Sequence, residues 1–234
     1  MMRKIRVATV FLLLCVTTVL SAQERELMPV DWNKVRHEVE NRPDYVRGLV
    51  ERLAADTLDK SLSPADRILA FYGQSFLTND KEESMRSTLY RQENEGLLEE
   101  CVATAKEMLA INPLNIDALI TAGEVLYNMA EDSTGRYRVT VDEAQPYLNR
   151  AVRLMNTIAL TGDGSADHPF YVTKVSDEYC FMRYYLDLWK FSSQYATSCC
   201  DVFELNEVSE YYTRPTISFE ITRVYELERE RLGM

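Results

Sequence analysis

Ile111-Asn112-Pro113-Leu114-Asn115-Ile116-Asp117-Ala118 is the stretch on which the fold turns. Pro113 lacks an N–H and disfavours helix in the residue before it, so a helix arriving from upstream must stop there. The next helix starts at once. Upstream, Leu98, Cys101, Ala105 and Met108 recur at helical spacing; downstream, Ile116, Leu119, Ile120, Gly123 and Leu126 do the same. Ala144, Leu148, Ala151 and Met155 line a third helix. Small residues alternate with large ones on these faces, which lets antiparallel helices approach closely and interdigitate.

Towards the N-terminus the pattern stays helical. Asp31 precedes a helix with Trp32, Val35 and Val39 on one face. Pro43 suits the first turn of a second helix carrying Tyr45, Val46, Leu49, Val50 and Leu53. Ser63-Pro64-Ala65-Asp66 supplies a cap, a first-turn proline and a first-turn acid for a third, with Ile68, Leu69, Tyr72 and Phe76. Residues 78–92 show no apolar period and are expected to form a polar connection.

Beyond Gly162 the character changes. Residues 162–167 are rich in turn formers, and 170–175 read as a strand by their aromatic and β-branched content. Residues 177–189 suit a helix. Residues 200–205 and 216–222 alternate apolar and polar, as an antiparallel pair of half-buried strands does, and 225–232 form a charged tail. The expected fold is α+β: helical hairpins over 23–161, then a C-terminal part over 162–234 with a small antiparallel sheet.

Of the 234 residues 46% are hydrophobic and 27% charged, ordinary for a globular chain and unlike a disordered, fibrous or multi-pass membrane protein. The formal net charge is −11, and removal of Arg3, Lys4 and Arg6 with the leader deepens it. Such a surface repels phosphate backbones, so nucleic acid and anionic lipid are not expected partners. The leader itself is a basic start, an apolar run from Val7 to Leu20 and then Ser21-Ala22-Gln23. This has the form of a secretory signal covering 1–22, cut after Ala22 or Ser21. Export to the periplasm or the extracellular space follows. Cys15 raises a lipid anchor, but Leu14 precedes it where a small residue is wanted. Four cysteines remain, with Cys101 expected as a small buried residue. Alternation along a strand would point Cys199 and Cys200 to opposite faces, which makes a bond between them awkward; a single bridge from Cys180 to Cys199 or Cys200 stays open.

Ile111 to Ala118 is similar to the junction between two tetratricopeptide repeats. Ala122-Gly123, Asp142-Glu143-Ala144 and Tyr147-Leu148 to Ala151 match further positions, and a weaker copy holds Tyr72-Gly73, Cys101, Ala105 and Met108. The regular period is about 34 residues, whereas Gly73 and Gly123 stand further apart, so insertions in the connections are implied. The chain also resembles an uncharacterised family of secreted Bacteroidetes-type proteins known only as a domain of unknown function. The matching positions are the Ala144 helix, Gly162 to Ser165, Val172, Asp177-Glu178-Tyr179, Asp201 and Ile217-Ser218-Phe219. That resemblance implies a fold and a compartment and assigns no mechanism.

Candidate chemistry is sparse. His37 sits among charged residues on the first helix. Asp163, Asp167 and His168 are the one local cluster of acids with a histidine, and a cation would need all three to converge. The alternative is an Asx turn, with Gly162 and Gly164 at positive φ and the aspartates holding backbone amides. Ser165 and His168 are too close in sequence to suggest a triad. Asp177-Glu178 are expected to meet the dipole of a helix start. No cofactor-binding motif occurs. Tyr184-Tyr185, Trp189 and Tyr211-Tyr212 offer aromatic surface for a peptide or a glycan, with core packing as the plainer use. The leading expectation is an exported, non-enzymatic binding or scaffold protein with a protein or peptide partner. The alternative is a hydrolase or cation-dependent enzyme at the 162–169 loop.

Overall fold

The computed structural model describes residues 26–130 and 141–233. The leader, its cleavage point and Cys15 lie outside the described residues, as does the 131–140 connection. The fold is α+β. Contacts divide the chain into two compact units, one of residues 33–154 and one of the segment ending at Trp32 together with 155–233.

The first unit is helical. Helix α1 (Trp32–Asn41) buries Val35 and Val39, and α2 (Pro43–Ala54), opened by its proline, buries Val46, Leu49, Val50 and Leu53. A capping box starts α3 (Pro64–Thr78): Ser63 Oγ accepts the Asp66 amide at 3.1 Å while the Asp66 carboxylate accepts the Ser63 amide at 3.0 Å. The polar connection expected over 78–92 is instead a 3₁₀ turn (Lys81–Met85) and helix α4 (Arg86–Glu95). Leu89 is the one residue α4 buries, so it carries no apolar stripe to read; Gly96 at φ 73° ends it and Tyr90 Oη ties it to Asp117 at 2.7 Å.

Helices α5 (Leu98–Ile111) and α6 (Ile116–Ala130) pack side by side, and α7 (Val141–Ala159) follows. The junction between α5 and α6 is built from asparagine chemistry. Asn112 Oδ1 accepts the Leu114 amide and Asn115 Oδ1 the Ala118 amide, both at 3.0 Å, an Asx turn followed by a helix cap. Both side-chain amides donate to Oε1 of the fully buried Glu82, at 2.6 and 3.3 Å. Buried Arg153 of α7 donates to the Leu53, Ala55 and Asp56 carbonyls at the end of α2, at 2.8, 2.6 and 3.3 Å. Leu53 O is one of the carbonyls that a helix terminus leaves without an internal partner, and the other two belong to the residues that follow the helix. A Cβ on Gly123 would overlap Leu148 Cδ2 and lie 2.7 Å from its Cγ, so α6 and α7 approach as closely as their small residues allow. Ala151 is fully buried on the same face. Ala151→Leu is expected to lower the free energy of unfolding by about 1–3 kcal/mol in urea titration, the usual cost of overpacking.

The second unit holds a four-stranded sheet in the order β1-β4-β3-β2. Strands β2 (Phe191–Ala196), β3 (Cys200–Leu205) and β4 (Thr216–Glu220) are antiparallel, while β1 (Phe170–Tyr171) lies parallel to β4. The sheet is therefore mixed, where a wholly antiparallel one is expected from the sequence. Two departures have local causes. The strand expected over 170–175 stops at Tyr171, because Asp177 Oδ2 accepts the Thr173 and Lys174 amides, at 3.2 and 3.1 Å, and turns the chain into helix α8 (Val175–Cys180). That helix runs on as a π-helical turn (Phe181–Tyr185), closed by Leu186 N–H to Phe181 O, and so ends before Trp189. Strand β2 is unforeseen: nearly all its residues are exposed, so it has no buried side to alternate with. Phe170, Phe181, Phe203 and Phe219 form the aromatic core, with Phe170 and Phe181 ring centres 4.7 Å apart. Helix α9 (Thr222–Leu232) takes up the charged tail.

Candidate functional site

The 162–169 loop is a closed turn. The Asp163 and Gly164 amides both donate to His168 O, at 2.9 and 3.0 Å. Asp163 Oδ1 accepts the Ser165 amide at 2.9 Å and Oδ2 the Arg214 guanidinium at 2.7 Å. Burial works against the Asp163 carboxylate, yet the bonds from Ser165 and Arg214 outweigh it and hold the group below its ordinary value. Gly164 takes positive φ, at 76°, as turn chemistry requires, and its carbonyl accepts Ser218 N–H and Tyr212 Oη. Gly162 differs from expectation: it is needed for space rather than for positive φ, since a Cβ there would run into the Pro169 carbonyl. Asp167 and His168 are exposed, and Ser165 Oγ meets the His168 backbone amide at 3.1 Å. His37, the other histidine, is exposed on α1 with Nδ1 3.1 Å from Asn41 Nδ2. Among the described residues no three His, Cys, Asp or Glu side chains converge as metal ligands would. Asp163→Ala is expected to cost about 0.5–2 kcal/mol, the scale of a lost turn bond, with a melting temperature unmoved by calcium or a chelator.

The denser chemistry of this unit lies in buried charges on both faces of the sheet. Register places Asp201, Phe203, Ile217 and Phe219 on one face and Cys200, Val202, Ser218 and Glu220 on the other. Glu178 of α8 is fully buried, and neither of its carboxylate oxygens has a hydrogen-bond partner. Burial first, then the neighbouring Asp201 and Asp177 carboxylates, push it up to about 9. Lys174 is pushed down to about 8 by burial, against the pull of Asp177. On the opposite face Glu220 accepts Trp32 Nε1–H at 2.9 Å and the Thr222 hydroxyl, and burial raises its carboxyl. Glu178 has no exposed surface from which to meet a substrate. Sequence reading assigns Glu178 to a helix start. The available signal was Asp201, an acid two residues from Phe203 and hence on the apolar face of its strand.

A family model described as a domain of unknown function, DUF4919, matches residues 33–230. The chain belongs to this family. No curated protein and no solved structure matches it.

The β2 edge of this DUF4919 chain is exposed along nearly its whole length. Strand β2 ends the sheet, and its residues Phe191-Ser192-Ser193-Gln194-Tyr195-Ala196 include neither charge nor proline. Tyr195 is 48% exposed and Trp189, just before the strand, 44%. Of the other aromatics nominated by sequence, Tyr212 is buried and Tyr185 bonds Asn156 at 2.9 Å. Edge strands in isolated proteins are ordinarily blunted by Lys, Pro or a bulge away from the sheet. Here a register shift between Phe191 and Ser193 is the one such device. No helix among the described residues is long and apolar enough to cross a membrane.

Proposed function

We propose that the protein is an exported, non-enzymatic binding protein of the cell envelope that captures an extended segment of a protein partner along β2. The observation that carries this reading is the exposed, uncharged edge with Trp189, Phe191 and Tyr195 beside it. An added strand would gain main-chain hydrogen bonds from the edge and specificity from the aromatic side chains. The tetratricopeptide-like junction at 111–118 is in keeping with a recognition role, and the leader sequence supports the exported compartment.

The test is selection of peptides from a displayed random library on the mature protein, followed by hydrogen exchange of the complex. A bound peptide should slow exchange of the β2 amides, and Tyr195→Lys should weaken it at least about tenfold, as a charge placed on an edge does. The melting temperature should be unchanged. Ligands that protect only helical amides, or glycans that bind without amide protection, would sink the reading.

A further inference from the structure

Cys199 and Cys200 meet at the turn into β3 with their sulfurs 3.2 Å apart, Cys199 exposed and Cys200 buried. The expectation of opposite faces fails because β3 begins only at Cys200, so strand alternation does not extend back to Cys199. The backbone around the pair is clamped. Thr197 N–H donates to Cys200 O at 2.7 Å, Cys200 N–H to Thr197 Oγ1 at 3.0 Å, and Ile221 N–H to Cys199 O at 2.9 Å. These bonds fix the backbone from which both thiols project. Cys180 and Cys101 are both buried.

We propose that Cys199 and Cys200 are a vicinal dithiol that is reversibly oxidised to an intramolecular disulfide by exchange with a small-molecule disulfide. Cys199, the exposed partner, attacks one sulfur of the oxidant; an S–S bond forms on Cys199 and one thiolate leaves. Cys200 then loses its proton and attacks Cys199 Sγ, closing the ring and expelling the second thiolate. Two protein thiols are oxidised, one disulfide is reduced to two thiols, and the two protons released are taken up by those leaving groups. Burial, with the bond and charge of Cys199 beside it, pushes the Cys200 thiol up to about 12. Capping Cys199 in the first step removes that bond and charge, while burial, the largest cause, remains. Adjacent Cα atoms are about 3.8 Å apart, below the roughly 4.4 Å at which ordinary disulfides begin. The ring is therefore strained and readily reduced, the character of a regulatory rather than a structural bridge.

The test uses the reduced full chain exposed to oxidised glutathione, then alkylation, proteolysis and mass spectrometry. The fragment carrying both cysteines should be lighter by two hydrogens in monomeric protein, and reduced glutathione should restore both thiols. In Cys200→Ser, which cannot close the ring, glutathione should accumulate on Cys199 at least about tenfold above its level in the unsubstituted chain. Cys199→Ser should show neither product. The proposal is overturned if the unsubstituted chain keeps glutathione on Cys199 as fully as Cys200→Ser does. It is equally overturned by bridging through Cys180, by dimers joined through Cys199, or by both thiols remaining alkylatable.

Discussion

Glu178→Gln is expected to raise the free energy of unfolding by about 3 kcal/mol at neutral pH and to remove a pH dependence that the unsubstituted chain carries. Glu178 is fully buried with no partner for either oxygen, and its carboxyl is held up at about 9 against an ordinary 4.5. The unfolded chain releases the proton near the ordinary value, while the folded chain retains it. Stability is therefore complete at acid pH and falls as pH rises through the interval between the two values, by about 1.4 kcal/mol per unit, levelling above the folded value. Lys174 acts with the opposite sign, because its folded value of about 8 lies below the ordinary 10.5. Its penalty is present at low pH and is relieved only as the solution passes above about 8. Urea titrations from about pH 5 to about pH 8 thus read Glu178 alone of these two groups. A Glu178→Gln curve that runs parallel to that of the unsubstituted chain across this range would mean that water reaches the carboxylate and the burial argument fails.

Gly162→Ala should be the most damaging of the glycine substitutions among the described residues. Its Cβ would collide with the Pro169 carbonyl oxygen and stand 2.5 Å from His168 O and 2.6 Å from the Pro169 carbonyl carbon, all backbone atoms with no rotamer to escape through. Relief requires opening the turn that Asp163 and Gly164 close on His168 O, and with it the Gly164 carbonyl that holds Ser218. The loss is expected at about 3 kcal/mol or more, at the severe end of overpacking. Gly48→Ala is the control. Nothing lies within 4 Å of a Cβ at that position inside α2, so the change should stabilise by about 0.5–1 kcal/mol through helix propensity alone. Equal, small effects at both positions would mean that the 162–169 turn is not packed as described.

The helices legible in the sequence are those with a buried stripe and a terminal signal. Val46 to Leu53 behind Pro43, the Ser63 capping box, and Leu98 to Met108 running into Asn112-Pro113 each state their own boundaries. Helix α4 and strand β2 escape notice for the same reason: both are exposed on most sides, so no period marks them. At the candidate site, Gly162-Asp163-Gly164 announces a turn through local chemistry, and the turn is there. Glu178 is different. An acid in the first turn of a helix looks the same in sequence whether water or a sheet lies against it, and only the tertiary register of Asp201 and Phe203 decides between them.

Arg153 has a bearing on the order in which the helical unit is assembled. Its guanidinium holds the Leu53 carbonyl at the end of α2, and the two carbonyls just beyond the helix, from about a hundred residues further along the chain. During synthesis, which releases the N-terminus first, α2 and α3 can pair as soon as both have emerged, but the end of α2 stays hydrated until α7 exists. Closing so long a loop carries an entropic cost that local hairpins avoid. The clasp is thus a late event, and a chain interrupted before residue 153 would carry an early hairpin with one end still open to water.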